Sequence, residues 1–193
     1  MALTESYMLP LGTHAPHFVL PDVVSNKDKS LHELKGEKGT LVIFMCNHCP
    51  YVVHLMEAIV KTAEKISNQG IATLAISSNS ITSHPQDGPE RMRQLALEKK
   101  FSFPYLFDAS QEVAHQYQAA CTPDFYLFDN NLGLVYRGRY DASRPGNDIP
   151  ITGEDLHQAC DKMLNHHPMD SMQYPSLGCN IKWHQRNSPE ERA

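Results

Sequence analysis

Two apolar runs with a helical stretch between them dominate the first half of the chain. The runs at 40–45 and 71–76 are rich in aliphatic and β-branched residues and have the length of strands that are buried on both faces. Between them, apolar residues recur at helical spacing over 53–66, beginning with Val53, and the stretch ends at Gly70. The pattern predicts a strand–helix–strand unit with two parallel strands.

The other predicted elements are shorter. Ser30 precedes Glu33 by three residues, which is the spacing of a capping box at the start of a helical turn. Further strands are predicted at 105–107, 125–128 and 134–138, and further helices at 89–99, 110–117 and 153–165. The last two strands flank a polar turn, which is typical of an antiparallel hairpin. This order predicts an α/β protein with a central mixed β-sheet and helices on both faces.

The composition is that of an ordinary globular protein and excludes several classes. Of the 193 residues, 41% are hydrophobic and 20% charged, and the net charge is −5. No basic run indicates a nucleic-acid partner, and no apolar stretch approaches the roughly 20 residues of a membrane span. The first residues lack the basic start and apolar core of a signal peptide. We expect one domain over 1–165 that includes an N-terminal extension, and a C-terminal tail over 166–193 that packs on it or is partly extended.

Five cysteines stand at positions 46, 49, 121, 160 and 179. Their odd number argues against a complete disulfide framework, and the absence of a leader favours a reducing compartment, so we expect a cytoplasmic location. The cysteines then matter as reagents or ligands. Cys160 lies among apolar residues of the last predicted helix and is expected to pack in the core. For Cys179, in the tail, packing and a redox role both stay open.

Cys46 and Cys49 lie where the first buried strand meets the following helix. Backbone N–H groups at a helix N-terminus stabilise a thiolate, so we expect the pKa of Cys46 to fall below the usual value of about 8.5. Cys49 is one turn further on and can attack a mixed disulfide formed at Cys46. Pro50 suits the first helical turn, and a protonated His48 would favour the thiolate further. The spacing indicates redox chemistry, with a zinc site and inert packing as alternatives.

Four blocks of sequence carry a family resemblance. They are Gly12-x-x-Ala15-Pro16-x-Phe18-x-Leu20, the strand leading to Cys46-Asn47-His48-Cys49-Pro50-Tyr51-Val52, Cys121-Thr122-Pro123-Asp124 with the strand to Asp129, and Leu134-Val135-Tyr136-Arg137-Gly138. With them the chain resembles the thioredoxin superfamily, in its redoxin branch of alkyl-hydroperoxide-reductase and thiol-specific-antioxidant proteins. Closer still, it resembles an uncharacterised peroxiredoxin-like group that shares the Cys-Asn-His-Cys-Pro-Tyr-Val motif and the segments 141–147 and 176–183. The resemblance spans about 9–183 and implies a thioredoxin-like fold.

The resemblance also gives a role to the segment that follows the third predicted helix. In a thioredoxin-like sheet, Pro123 has a cis peptide bond and faces the cysteine pair. The backbone of Thr122 is then free to pair with a substrate strand, and Asn47, Asp124 and Cys121 are expected to face the substrate as well. Cys121 is open to a third redox role, to metal ligation or to simple packing.

Some positions depart from the family patterns. Thioredoxin has a tryptophan where this chain has Met45, and a buried acid where it has Thr40. Peroxiredoxins place their peroxide-reactive cysteine at the position of Cys49, with a threonine at the position of Cys46 and a proline at that of Val42. Because the threonine hydroxyl that would hold the peroxide is missing, peroxidase activity is disfavoured.

These observations favour a thiol–disulfide oxidoreductase that needs no organic cofactor and acts on a protein or small-molecule thiol. Cys46 attacks, Cys49 resolves, His48 tunes the thiolate and Pro123 shapes the backbone that faces the substrate. A thiol-dependent peroxidase is the first alternative. The second is a metal-binding module in which Cys46, Cys49 and Cys121 hold Zn²⁺ or Cu⁺, and the third is a fold kept for binding alone. The sequence leaves the oligomeric state open.

Overall fold

The two apolar runs become neighbouring central strands of a seven-stranded sheet. The computed structural model describes residues 3–184. Its strands are β1 (Leu3–Glu5), β2 (Val19–Asp22), β3 (Lys27–Ser30), β4 (Gly39–Phe44), β5 (Ile71–Ser77), β6 (Tyr105–Phe107), β7 (Cys121–Thr122), β8 (Asp124–Asp129), β9 (Leu134–Gly138) and β10 (Leu177–Asn180). Its helices are α1 (Leu31–Leu34), α2 (Pro50–Ser67), α3 (Pro89–Glu98), α4 (Glu112–Gln116) and α5 (Glu154–Leu164). No helix in this range is long and apolar enough to cross a membrane.

The central sheet is mixed, as predicted. Its strand order is β3-β2-β6-β5-β4-β8-β9. Strands β4, β5 and β6 are parallel, and β8 runs antiparallel to β4 and to β9. The strand–helix–strand unit and the late hairpin are therefore confirmed, as is the capping box between Ser30 and Glu33.

The sheet separates two hydrophobic cores. Alternate residues of β4 and β8 point to opposite faces, so Ile43 and Phe125 belong to one core and Phe44 and Tyr126 to the other. Residues of α2, α3 and α5 pack in the first core, and residues of α1 and α4 pack in the second. The prediction for α2 was wrong in one detail: Val53 is 59% exposed, because the buried face of the helix starts from the preceding residue. Cys160 is buried in the first core, as expected.

A second, three-stranded sheet joins both ends of the described chain. In it, β10 lies between β1 and β7 and is antiparallel to both. The sequence pattern did not reveal β10, because its four residues Leu177–Asn180 include a glycine and show no apolar alternation. This part of the predicted tail therefore packs on the domain, whereas residues 185–193 of that prediction lie outside the described range. Residues 181–184 follow β10 and hydrogen-bond to Asn79, in the loop after β5, and to Gln111.

The second core contains a buried ion pair. The Arg137 guanidinium lies 3.3 Å from the Asp124 carboxylate, and both side chains are fully buried. Arg137 also donates to the Gln118 carbonyl at 2.8 Å and lies over the Tyr126 ring. Burial raises the pKa of Asp124 to about 6, and Arg137 opposes that rise. The carboxylate therefore depends on Arg137 to remain charged at neutral pH.

Replacing Arg137 tests this dependence. We expect Arg137→Met to lower the free energy of unfolding by about 3–5 kcal/mol at neutral pH, because an unpaired carboxylate is left buried. In the variant the pKa of Asp124 lies above the wild-type value of about 6, so its carboxyl is protonated at a higher pH than in the wild type, and the loss relative to the wild type should shrink as the pH falls toward about 6. Denaturant unfolding across this pH range measures the difference.

Lys162→Met is the matched control, since it removes a cation from the exposed Lys162–Asp170 pair, whose atoms are 2.6 Å apart. It should cost less than about 1 kcal/mol at every pH. An Arg137→Met loss that stays constant with pH would contradict the assignment of the charge to Asp124.

Candidate active site

The cysteine pair lies where the sequence placed it, just beyond the end of β4. Cys46 is in the turn after the strand, and Cys49 is the N-cap of α2, with Pro50 as the first helical residue. Both side chains are buried, and all five cysteines of the chain are in the thiol form. The two thiols hydrogen-bond to each other.

This hydrogen bond sets the proton affinity of the pair. It is the largest cause that lowers the pKa of Cys49 to about 4, and the thiol of Cys179 and Thr122 add further hydrogen bonds. The same bond raises the pKa of Cys46 well above its usual value, together with burial and the nearby Asp87 carboxylate. The first proton therefore leaves the pair easily and the second is held.

The charge is thus favoured at Cys49, where the sequence had suggested Cys46. The reason is that the hydrogen bonds converge on Cys49 while a carboxylate faces Cys46. The Thr122 carbonyl acts in the opposite sense. It lies 3.1 Å from Cys49 Sγ and accepts a hydrogen bond from that thiol when it is protonated. We therefore treat the pair as holding one proton that either sulfur can carry.

Asp87 organises the loop between the two cysteines. It is fully buried in the 3-10 turn Pro85–Asp87 and accepts from the Asn47 backbone N–H at 2.9 Å. Its other oxygen lies 2.7 Å from His48 Nδ1 and accepts from the Asn79 amide at 2.8 Å. The sequence pattern did not reveal Asp87, because its loop shows no periodicity and only the fold brings it to the cysteines.

His48 and Asn47 are the half-buried residues of this loop. His48 Nδ1 is 3.9 Å from Cys46 Sγ, and its ring stacks on His84 with centroids 4.9 Å apart. The Asn47 side chain donates to the Gln86 carbonyl and accepts from the Tyr105 hydroxyl. The loop beside Cys46 is therefore held by side chains from several elements.

The Thr122–Pro123 peptide bond is cis, and it faces the cysteine pair as expected. The Thr122 hydroxyl lies 3.5 Å from Cys46 Sγ, and its carbonyl lies against Cys49. The expectation that the Thr122 backbone is free to pair with a substrate strand is not met, because β10 pairs there and places Cys179 directly opposite Thr122.

Two residues expected to face the substrate are buried elsewhere. Asp124 is paired with Arg137 in the second core, because alternation along β8 turns it away from the face that carries Phe125. Cys121 is fully buried with its thiol 3.9 Å from the Pro123 carbonyl, and burial raises its pKa well above the usual value. Neither side chain reaches the surface in this structure.

The predicted metal ligands do not come together. Within residues 3–184, the cluster of metal-binding atoms near the pair consists of Cys46, His48 and Asp87, whose atoms lie within 4.8 Å of one another. Cys121 is not part of this cluster, since its sulfur packs against Pro123. The arrangement of Cys46, Cys49 and Cys121 proposed from the sequence is therefore not formed.

A thiol pair at a helix start, opposite a cis-proline, is the arrangement that the sequence resemblance implied. A family model described as the AhpC/TSA family matches residues 11–137 of the chain. The chain belongs to the AhpC/TSA family. Comparison with curated proteins gives no match.

Solved structures similar to this AhpC/TSA protein include two that cover nearly the whole chain. An uncharacterised conserved protein from Geobacillus kaustophilus is 45% identical with a TM-score of 0.94, and the match covers 96% of this chain and 98% of the other. A hypothetical protein from Sinorhizobium meliloti is 44% identical with a TM-score of 0.91, covering 94% and 99%.

A third similar structure carries a descriptive name. A putative thioredoxin from Neisseria meningitidis is 26% identical with a TM-score of 0.60, and the match covers 78% of this chain and 89% of the other. More distant neighbours, among them thiol–disulfide oxidoreductases and a peroxidoxin, share the fold. The AhpC/TSA protein therefore has a thioredoxin-like fold and belongs to a general class of thiol redox proteins.

Removing the Asp87 charge tests the electrostatics of the pair. In Asp87→Asn the carboxylate no longer opposes ionisation of Cys46, so its pKa should fall. We expect Cys46 to be alkylated roughly tenfold faster at neutral pH than in the wild type. The measurement is the pH dependence of iodoacetamide labelling of the reduced protein, resolved by peptide mass mapping.

Glu90→Gln provides the control, because it makes the same acid-to-amide change at an exposed residue of α3. It should leave the labelling profile unchanged. If Asp87→Asn also leaves it unchanged, the carboxylate does not control the thiol.

Proposed function

We propose that this protein is a thiol–disulfide oxidoreductase that works by dithiol–disulfide exchange. The observation that carries the proposal is the hydrogen-bonded pair Cys46 and Cys49 at the start of α2. A pair that gives up its first proton easily supplies a thiolate near neutral pH, and the second thiol is close enough to form the intramolecular disulfide.

The exchange has two balanced steps. As a partner disulfide approaches, the proton of Cys46 moves along the hydrogen bond to Cys49, and the protonated Cys49 thiol donates a hydrogen bond to the Thr122 carbonyl. Cys46 attacks one partner sulfur, so an S–S bond forms to the partner and the partner's own S–S bond breaks, releasing a thiolate that takes up a proton. Cys49 then loses its proton and attacks Cys46 Sγ, which forms the Cys46–Cys49 disulfide and releases the second partner thiol. The partner is reduced by two electrons and the pair is oxidised by two.

The surrounding residues support these roles. Cys46 is adjacent to half-buried Asn47 and His48, while Cys49 is enclosed between Cys46, Thr122 and Cys179, so we assign attack to Cys46 and resolution to Cys49. His48 lies beside the attacking sulfur, where it favours the thiolate when it is protonated. Pro123 holds the Thr122 carbonyl toward the pair. We propose no organic cofactor.

The partner is a thiol or disulfide of a small molecule or a protein. Because β10 already pairs with Thr122, a small thiol fits this form of the site better than an extended polypeptide. The chain has five cysteines, and this odd number argues against a complete framework of structural disulfides. Because thiols persist in a reducing compartment, we propose that the reaction takes place in the cytoplasm.

Peroxidase chemistry is the second candidate, and the lowered pKa of Cys49 is the observation that favours it. A peroxidase also needs groups that hold the peroxide. The position three residues before Cys49 is Cys46 instead of a threonine, and Arg137 is engaged with Asp124 in the other core. We therefore rank exchange first.

The reduction potential of the pair is the decisive measurement. Wild-type protein is equilibrated in graded glutathione buffers, quenched with acid, alkylated and mapped by mass spectrometry. We expect a Cys46–Cys49 disulfide, and Cys49→Ser should accumulate a mixed disulfide at Cys46 because the resolving thiol is gone. A reduction potential of about −270 mV would indicate a reductant of disulfides, and one of about −120 mV would indicate an oxidant of thiols.

Cys160→Ala is the control, since Cys160 is buried in the same core but the charged groups that act on its thiol are Asp161 and Lys65 and not the pair, so its loss should leave the potential unchanged. If the Cys46–Cys49 disulfide does not form in any of the glutathione buffers, dithiol exchange through this pair is excluded. Rapid thiol-dependent consumption of hydrogen peroxide by the wild type would place the peroxidase first.

A further inference from the structure

Strand β10 occupies the edge beside the cis-proline. It pairs antiparallel with β7, with Cys179 opposite Thr122 and Asn180 opposite Cys121. An antiparallel strand on this edge presents its side chains to the cysteine pair, as an incoming substrate strand would. The chain thus supplies its own segment to the face of the site that Thr122 and Pro123 form.

The residue that β10 brings to the pair is itself a cysteine. Cys179 lies opposite Thr122, whose carbonyl is 3.1 Å from Cys49 Sγ, and hydrogen bonds from the thiols of Cys46 and Cys179 both lower the pKa of Cys49. Cys179 is buried, with 4% of its surface exposed. Three sulfurs therefore lie in series, and Cys49 stands in the middle within contact of both others.

Close packing fixes the position of Cys179. A Cβ added at Gly178 would lie 2.0 Å from the Thr122 carbonyl oxygen, so only glycine lets β10 approach this closely. The following residues are held as well. The Lys182 N–H donates to the Asn79 side chain at 2.8 Å, and the Lys182 carbonyl accepts from the Gln111 side chain at 2.9 Å. The buried Gln111 has a left-handed φ of 66° and also donates to the Ser78 carbonyl.

We propose that Cys179 is a third redox thiol of this site and exchanges with the Cys46–Cys49 disulfide. The sulfur of Cys179 attacks Cys49 Sγ, the Cys49–Cys179 bond forms and the Cys46–Cys49 bond breaks. Cys46 leaves as a thiolate and takes up the proton that Cys179 loses. No electrons enter or leave the protein in this step, so it needs no oxidant beyond the partner disulfide that first oxidised the pair.

The proposal rests on the proposed function for its starting disulfide and extends it. The product regenerates the Cys46 thiol and ties β10 covalently to the start of α2. Burial and the hydrogen bond to Cys49 raise the pKa of Cys179 to about 12. The hydrogen bond to a Cys49 thiolate is absent once Cys49 is in a disulfide, but burial remains, so we expect this exchange to be slower than attack by Cys46.

The test compares Cys46→Ser with Cys46→Ser/Cys179→Ser in the full-length protein. Each reduced variant is exposed to oxidised glutathione, quenched at intervals and mapped. In the single variant the glutathione adduct at Cys49 should give way to a Cys49–Cys179 disulfide, at least about tenfold faster than the adduct is lost in the double variant. A persistent adduct in the single variant would overturn the proposal.

Two further variants separate chemistry from geometry. Cys179→Ala in the otherwise native chain should still form the Cys46–Cys49 disulfide but no link to position 179. Gly178→Ala keeps every cysteine but forces β10 away from Thr122, so it should reduce the yield of the Cys49–Cys179 link severalfold. An unchanged yield in Gly178→Ala would contradict the role of the strand in placing Cys179.

The outcomes distinguish this proposal from the proposed function. A wild-type protein that forms Cys46–Cys49 with no Cys49–Cys179 link in any variant retains the proposed function and loses the third thiol. A protein that forms Cys49–Cys179 under oxidising conditions but never Cys46–Cys49 would overturn both, because the exchange starts from the Cys46–Cys49 disulfide. Circular dichroism of each variant before oxidation checks that a missing link is not a missing fold.

Discussion

The site depends on the backbone and side chain of one residue, Thr122. Its hydroxyl lies 3.5 Å from Cys46 Sγ, its carbonyl lies 3.1 Å from Cys49 Sγ, and its strand edge carries Cys179. The cis bond to Pro123 follows directly, so the chain can turn from the small sheet into the central one while these groups face the thiols. The positions of all three thiols are therefore set by their contacts with the short segment Thr122–Pro123.

Two buried carboxylates, Asp124 and Asp87, have different roles: the first belongs to an ion pair in the core and the second acts on the cysteine pair. Asp124 lies in the second core, where Arg137 balances its charge and where it contacts neither member of the pair. Asp87 lies beside the pair, where it fixes the loop of Asn47 and His48 and makes ionisation of Cys46 more costly. The hydrogen bond between the two thiols adds to that cost at Cys46 but lowers the pKa of Cys49, so the pair still ionises and the charge is favoured at Cys49. A stabilising group and an opposing group thus act on the same pair.

Much of this fold was readable from local patterns, and the cysteine pair with it. Strand β4 and helix α2 are long and apolar enough to predict, and Cys46 and Cys49 lie at their junction. What the sequence could not reveal depends on contacts between distant residues. Asp87 belongs to an aperiodic loop, and β10 is defined by its pairing with Thr122 rather than by its own residues. The burial of Asp124 could have been predicted from alternation along β8, had its register been known.

The order of synthesis gives the position of β10 a further consequence. Asp129, the last residue of β8, leaves the ribosome about 50 residues before Cys179. At about 5–20 residues per second, this interval is a few seconds. During it the central strands are already available to pair, while the edge beside Thr122 still lacks its last strand. The nascent protein therefore passes through an uncovered form of its site, in which Cys46 and Cys49 meet the surrounding thiols before β10 pairs beside Thr122.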